Sequence, residues 1–225
     1  MMRRFLLILM VLAAIGMAFS IVGLIRTMNR LGAGPNNAPT VQPDVASLGL
    51  FIPEFTLTNQ DGATVDHTVF DGRITILDFF FTHCPFICPT LTLAMQDLAR
   101  DLAGTPVRFV SISVDPQNDT PARLKQYAAD KEIDLSRWTF LTGDLATVQA
   151  VANTSLGFLV GPDKDPANTI TLPDGSTMQN IIHPSRLILV GPDRKVLGFY
   201  EASSLEETNK LLLRARAAAK SLLRR

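Results

Sequence analysis

The sequence predicts an α/β domain in which a central mixed sheet is flanked by helices, preceded by one N-terminal transmembrane helix. Three observations predict it. Residues 5–25 form one apolar run, with Arg3 and Arg4 before it and Arg26 and Arg30 after it. Two further segments, "RITILDFFF" (73–81) and "VRFVSISV" (107–114), are nearly continuously apolar and read as strands buried on both faces. Around them, apolar residues recur at helical spacing.

The N-terminal run has 21 residues, matching the roughly 20 that cross a hydrocarbon core as a helix. Gly16-Met17-Ala18 resembles a signal-peptide cleavage triplet, but the apolar run continues seven residues beyond it. An uncleaved anchor over residues 1–30 is therefore favoured over a removed signal. The flanking cations nearly balance, so they orient it only weakly, with the N-terminus cytoplasmic and the soluble domain on the periplasmic side of a single-pass segment. Residues 31–46, rich in Gly, Pro and Asn, read as a flexible linker. Residues 47–225 suit one domain. With 21 basic and 21 acidic residues in 225, no charge excess points to nucleic acid. Two cysteines are too few for a disulfide framework.

Within the domain, residues 51–65 alternate apolar and polar around Asp61-Gly62, a hairpin signature. The strand over 73–81 leads to both cysteines. Leu91, Met95, Leu98 and Leu102 then mark a helix that Gly104 can end. After the strand over 107–114, Thr120-Pro121 supplies an N-cap and a first-turn proline for a helix through Lys131. Asp144 can cap a short helix through about Ala152. The polar stretch 161–180 contains a hairpin turning at Pro173-Asp174-Gly175, and a last strand pair flanks Gly191-Pro192-Asp193. Ser204 and Glu207 form a capping box for a C-terminal helix with basic last turns. Strand, cysteine motif, helix, strand, helix, closing hairpin and helix is the order of a thioredoxin-like fold.

The cysteines lie in "FFFTHCPFICPT" (79–90), after a buried strand and at a helix start. A helix N-terminus favours thiolate, the form that ligates metals and attacks disulfides. Position therefore weighs against inert burial without choosing between the two roles. Spacing of i and i+4 aims Cys84 and Cys88 at one point, though Pro85 and Pro89 distort the ladder. Such a pair can form a redox-active disulfide or chelate a soft ion such as Cu(I); Cu(II) or Zn(II) additionally wants nitrogen. Of three histidines, His67 reads as a surface residue and His83 points away from its neighbour Cys84. His183 enters a strand whose preceding loop packs against the cysteines in a thioredoxin-like domain. It is the favoured third ligand.

These residues, with "VRFVSISVDPQNDTPARLKQYA", "WTFLTG" and the downstream His183, resemble the SCO/SenC family over roughly residues 48–200. That family comprises membrane-tethered, thioredoxin-like, copper-binding cytochrome c oxidase assembly proteins. The resemblance implies copper, Cu(I) or Cu(II), held by Cys84, Cys88 and His183, and delivery to the dinuclear site of the copper-receiving oxidase subunit. It also implies a copper donor and a thiol reductant as partners. Asp115 would support the site or cap its own loop.

Two departures stand out. Phe86 replaces an acidic residue frequent in the family, and His183 is followed by Pro184, where a cis-proline would organise substrate backbone as in thioredoxins. A metallochaperone is thus set against a thiol–disulfide oxidoreductase, in which Cys84 attacks and Cys88 resolves. A peroxidase of the peroxiredoxin type fits poorly, because Thr82 is two residues before Cys84 rather than three.

Overall fold

The computed structural model describes residues 48–224. The expected anchor and linker lie outside them, and no helix among the described residues is long and apolar enough to cross a membrane.

The chain opens with the hairpin of β1 (Thr56–Asn59) and β2 (Thr64–Asp66). Gly62 takes the left-handed conformation its turn requires, φ +80°. The Asn59 side chain accepts from the N–H groups of Asp61 and Ala63. After a 3₁₀ turn over His67–Phe70 come β3 (Thr75–Phe80), α1 (Cys88–Asp101), β4 (Arg108–Ser113) and α2 (Pro121–Asp130). Next are β5 (Trp138–Thr142) and α3 (Leu145–Gln149), which widens into a π-helical turn over Ala150–Ser155. Short strands β6 (Gly161–Pro162), β7 (Thr169–Thr171), β8 (Thr177–Gln179) and β9 (Ile181–Ile182) follow. The chain closes with β10 (Arg186–Val190), β11 (Val196–Glu201) and α4 (Leu205–Leu222).

The main sheet has the spatial order β11-β10-β3-β4-β5-β1-β2. β4 runs parallel to β3 and β5, whereas β10 is antiparallel to β3. This is the mixed sheet of a thioredoxin-like α/β fold. Every residue of β3 is buried, which is why its sequence lacks the apolar–polar alternation of a half-exposed strand. Phe80 packs between Tyr127 of α2 and Phe140 of β5, with ring centroids 5.7 and 5.4 Å away. Trp138 stacks on Phe140 at 5.4 Å.

Local capping follows the sequence closely. Thr120 and Asp144 accept from the N–H groups of Arg123 and Thr147. At α4 only half of the expected capping box forms. Ser204 accepts from the Glu207 N–H, but Glu207 itself pairs with Lys210, and the Ser204 N–H donates to the Glu201 carbonyl. The nearby ammonium is a stronger partner for that carboxylate than a backbone amide. Two features went beyond the expected elements: β5, and the pairing of β6 with β9.

Replacing Phe80 by Ala removes a fully buried ring packed between a helix and a strand. Urea denaturation should show a loss of about 3–5 kcal/mol.

Candidate metal centre

β3 ends at Phe80, and the chain turns over residues 81–87 before α1 begins. The turn is held from within: the Cys84 N–H donates to the Phe81 carbonyl at 3.3 Å, and the Phe81 N–H donates to Cys88 Sγ at 3.4 Å. It is also held from outside. The Thr82 N–H and hydroxyl both donate to the Asp119 carboxylate, which takes a third hydrogen bond from the Ser113 hydroxyl. Arg123 Nε donates to Thr82 Oγ1 at 3.1 Å. The end of β4 and the start of α2 are thereby fastened to the cysteine turn.

Cys88 is the first residue of α1, so Cys84 lies in the turn rather than on the same helix face. The four-residue spacing still converges the sulfurs, because the turn folds back over the helix start. His183 arrives from the other side, between β9 and β10. Its Nε2 stands 3.4 Å from Cys88 Sγ. The ligand atoms of Cys84, Cys88 and His183 all lie within 4.8 Å of one another, and all three residues are buried. His183 Nδ1 is 3.2 Å from the Pro184 carbonyl, to which it can donate. With Nδ1 at the Pro184 carbonyl, Nε2 is the ring nitrogen that faces the sulfurs. The ring also meets Phe81 edge-on at 5.5 Å.

The peptide bond before Pro184 is trans, contrary to the cis bond weighed from the sequence. A proline restricts the preceding residue to extended backbone, and here that residue is His183, which carries the chain from β9 toward β10. The position serves the imidazole rather than a substrate backbone.

The remaining sequence candidates separate cleanly. His83 turns away from Cys84 toward Asp115 and Asp119, forming a second group of potential donors within 4.8 Å. His67 starts the 3₁₀ turn and belongs to neither group. Asp115 caps its own loop: its carboxylate accepts from Asn118 Nδ2 at 2.8 Å and its carbonyl from the Asp119 N–H at 2.8 Å. Asp78 and Asp119 were not singled out by the sequence, and Thr82 stood out only as a residue that misses the peroxidase spacing. For Asp78 the signal was available, since it is the one charged residue within an otherwise uncharged, wholly buried strand.

Comparison with known proteins gives this geometry a lineage. Residues 44–217 match the SCO1/SenC family model. The chain belongs to the SCO1/SenC family. A SCO1 homologue from Bacillus subtilis is 38% identical over 152 residues, covering 66% of this chain and 72% of that protein. The solved structure of BsSco, described as a Sco-family cytochrome c oxidase assembly protein with a disulfide switch, is 34% identical with a TM-score of 0.63. That match covers 77% of this chain and 95% of BsSco. ScoI of Bradyrhizobium japonicum, solved with copper bound, is 25% identical with a TM-score of 0.60, covering 75% of this chain and 99% of ScoI.

In this SCO1/SenC chain the two thiols are free and unequal. Cys84 is 8% exposed and Cys88 2%. Hydrogen bonding from Cys88 pulls the Cys84 thiol down to about 4 against the opposing effect of burial, with help from His183 and the N–H of Phe86. Burial drives the Cys88 thiol well up, and the neighbouring Cys84 thiolate adds to that. The pair therefore keeps one proton, on Cys88, and one thiolate, on Cys84. Behind them, burial pushes the Asp78 carboxyl up to about 6, partly opposed by the Ser111 hydroxyl and by the charge of His183. Beside them, Phe86, Ile87, Ile181 and Ile182 border an open groove of about 350 Å³, with Phe86 58% exposed.

Two measurements check these electrostatics. Iodoacetamide at pH 6 should alkylate Cys84 at least about tenfold faster than Cys88, read by peptide mass spectrometry, because thiolate is the reactive form. Asp78 has a folded pKa above its unfolded value near 3.8. Its ionisation therefore destabilises the fold fully above about pH 6 and not at all below about pH 4. Relative to wild type, Asp78→Asn should gain about 3 kcal/mol of stability between pH 4 and pH 7, at about 1.4 kcal/mol per pH unit.

Proposed function

We propose that this SCO1/SenC protein is a membrane-tethered copper metallochaperone. It binds one copper ion through Cys84, Cys88 and His183 and delivers it to the dinuclear copper site of cytochrome c oxidase during assembly. The contact of His183 Nε2 with Cys88 Sγ at 3.4 Å carries this reading. The imidazole beside the buried sulfur completes a copper donor set that the two thiols alone do not supply. Two thiolates hold Cu(I), and an added imidazole makes the same donor set acceptable to Cu(II). Support also comes from the copper in the related Bradyrhizobium japonicum protein and from the oxidase-assembly role stated for BsSco. The apolar run over residues 5–25 would tether the domain outside the cytoplasmic membrane. The groove at Phe86 and Ile182 leaves one side of the site open to a receiving protein.

A second reading has its own observation, the inequality of the thiols. As a thiol–disulfide oxidoreductase, the Cys84 thiolate would attack a target disulfide, and Cys88, passing its proton to the His183 imidazole, would resolve the mixed disulfide. The target would leave as a dithiol, and a thiol reductant would restore the Cys84–Cys88 pair. The roles are compatible, because copper loading requires the reduced pair.

Anaerobic titration of the reduced protein with Cu(I) against a competing chelator separates them. One-to-one binding is expected. His183→Ala should weaken Cu(I) by about 10- to 100-fold and lose Cu(II), while Cys84→Ser or Cys88→Ser should lose both. Copper affinity unchanged by His183→Ala would contradict the chaperone and leave the oxidoreductase.

A further inference from the structure

The outer face of α4 differs from the rest of the surface. At 100° per residue, Leu213, Arg216, Ala217 and Lys220 fall on one stripe of the helix, and Leu223, its C-cap, and Arg224 follow directly after its last turn. All six are exposed, Leu213 at 66% and Leu223 at 74%. Leu211, Ala215 and Ala219 occupy the buried side. No acidic residue follows Glu207 in the chain. Arg100, Lys125, Lys195 and Lys210 pair with carboxylates, whereas Arg73, Lys164 and Arg186 are exposed singly, away from a run of like charge. Among the described residues, no carboxylate lies within ion-pair distance of Arg216, Lys220 or Arg224. Exposed leucines interleaved with uncompensated cations match the chemistry of an anionic lipid surface.

The position of this stripe in the fold agrees. α1 runs away from the site, from Cys88 to Asp101, and Arg216 donates to the Asp101 carbonyl at 2.7 Å. The second half of α4 therefore lies at the end of the domain opposite the cysteine turn. The chain joins the domain at that same end. The Leu50 carbonyl accepts from Val196, which pairs with Val190, which pairs with Thr75 at the start of β3. Residues 31–47 separate Arg30 from the described domain, and 17 residues reach at most roughly 60 Å.

We infer that residues 213–224 of α4 lie on anionic lipid, so that the domain stands on the membrane with Cys84, Cys88 and His183 turned away from the bilayer. The inference rests on the tethered reading above, in which the membrane is within reach of the domain. Lys220 and Arg224 meet headgroups, and Leu213 and Leu223 enter the interface. An oxidase subunit would then meet the copper site from the aqueous side.

The test uses the full chain carrying Leu223→Trp, reconstituted with vesicles of phosphatidylcholine alone or with one-third phosphatidylglycerol. The buried Trp138 provides a constant background. Flotation with phosphatidylcholine vesicles reports the anchor independently of α4. The expected result is a blue-shifted emission, quenched by brominated acyl chains, in the phosphatidylglycerol vesicles only. Adding Arg216→Glu, Lys220→Glu and Arg224→Glu should abolish it, since each cation contributes about fivefold to partitioning at an anionic surface. Unshifted emission in both vesicles from a chain that floats would overturn the inference. So would an equal shift in vesicles and in neutral detergent, which would assign the face to residues 1–47 or to a second copy. A chain that fails to float with phosphatidylcholine removes the tether, and lipid contact by α4 is then read from flotation with phosphatidylglycerol.

Discussion

β10 pairs antiparallel with β3, setting Ile188 opposite Leu77 and Val190 opposite Thr75. The residues that precede β10 are therefore delivered to the end of the sheet from which Cys84 and Cys88 emerge. Everything else in the site follows from this register. A slip of one residue would exchange the side chains of β10 between its two buried faces and displace His183 from Cys88, 95 positions earlier in the chain. β3 can play its part because all six of its residues are buried, so the apolar core itself fixes where the strand ends and the cysteine turn begins.

The second determinant is the polar fastening of that turn. Asp119 accepts hydrogen bonds from Thr82 and Ser113, joining three loops at one buried carboxylate. Burial holds the Asp119 carboxyl above its ordinary value, and the hydrogen bonds from Ser113 and Thr82 offset only part of that cost while tying β4 to the cysteine turn. Inside it, one proton shared unequally between the sulfurs leaves a thiolate on the side nearer solvent and a thiol beside the imidazole. In the proposed copper site, Cys84 would offer the thiolate on the Phe86 side and Cys88 would have to give up its proton to become the second sulfur ligand. The same asymmetry suits nucleophilic attack on a disulfide, so the two functions are distinguished by whether the imidazole binds a metal, not by the thiols.

Much of this was legible in the sequence. The apolar run 73–81, the Asp61-Gly62 and Asp174-Gly175 turns, and the Thr120, Asp144 and Ser204 caps are local signals, and each appears where the residues dictate. His183 was legible only through topology, because nothing near it in the chain marks it as a ligand. β5 was missed because "WTFLT" is short and follows a connection without Gly or Pro; its identity as a strand comes from pairing with β4 and β1. The cis bond weighed at Pro184 failed because the proline follows a ligand whose ring must reach inward on an extended chain. Asp119 is invisible locally, since a buried carboxylate before Thr-Pro looks like an ordinary helix-start residue until three loops converge on it.

X-ray absorption at the copper edge, on the Cu(I)-loaded protein, tests the central claim most directly. The account predicts two sulfur scatterers and one imidazole nitrogen, with the nitrogen lost in His183→Ala. A spectrum of sulfur alone, or one unchanged by that substitution, would contradict it.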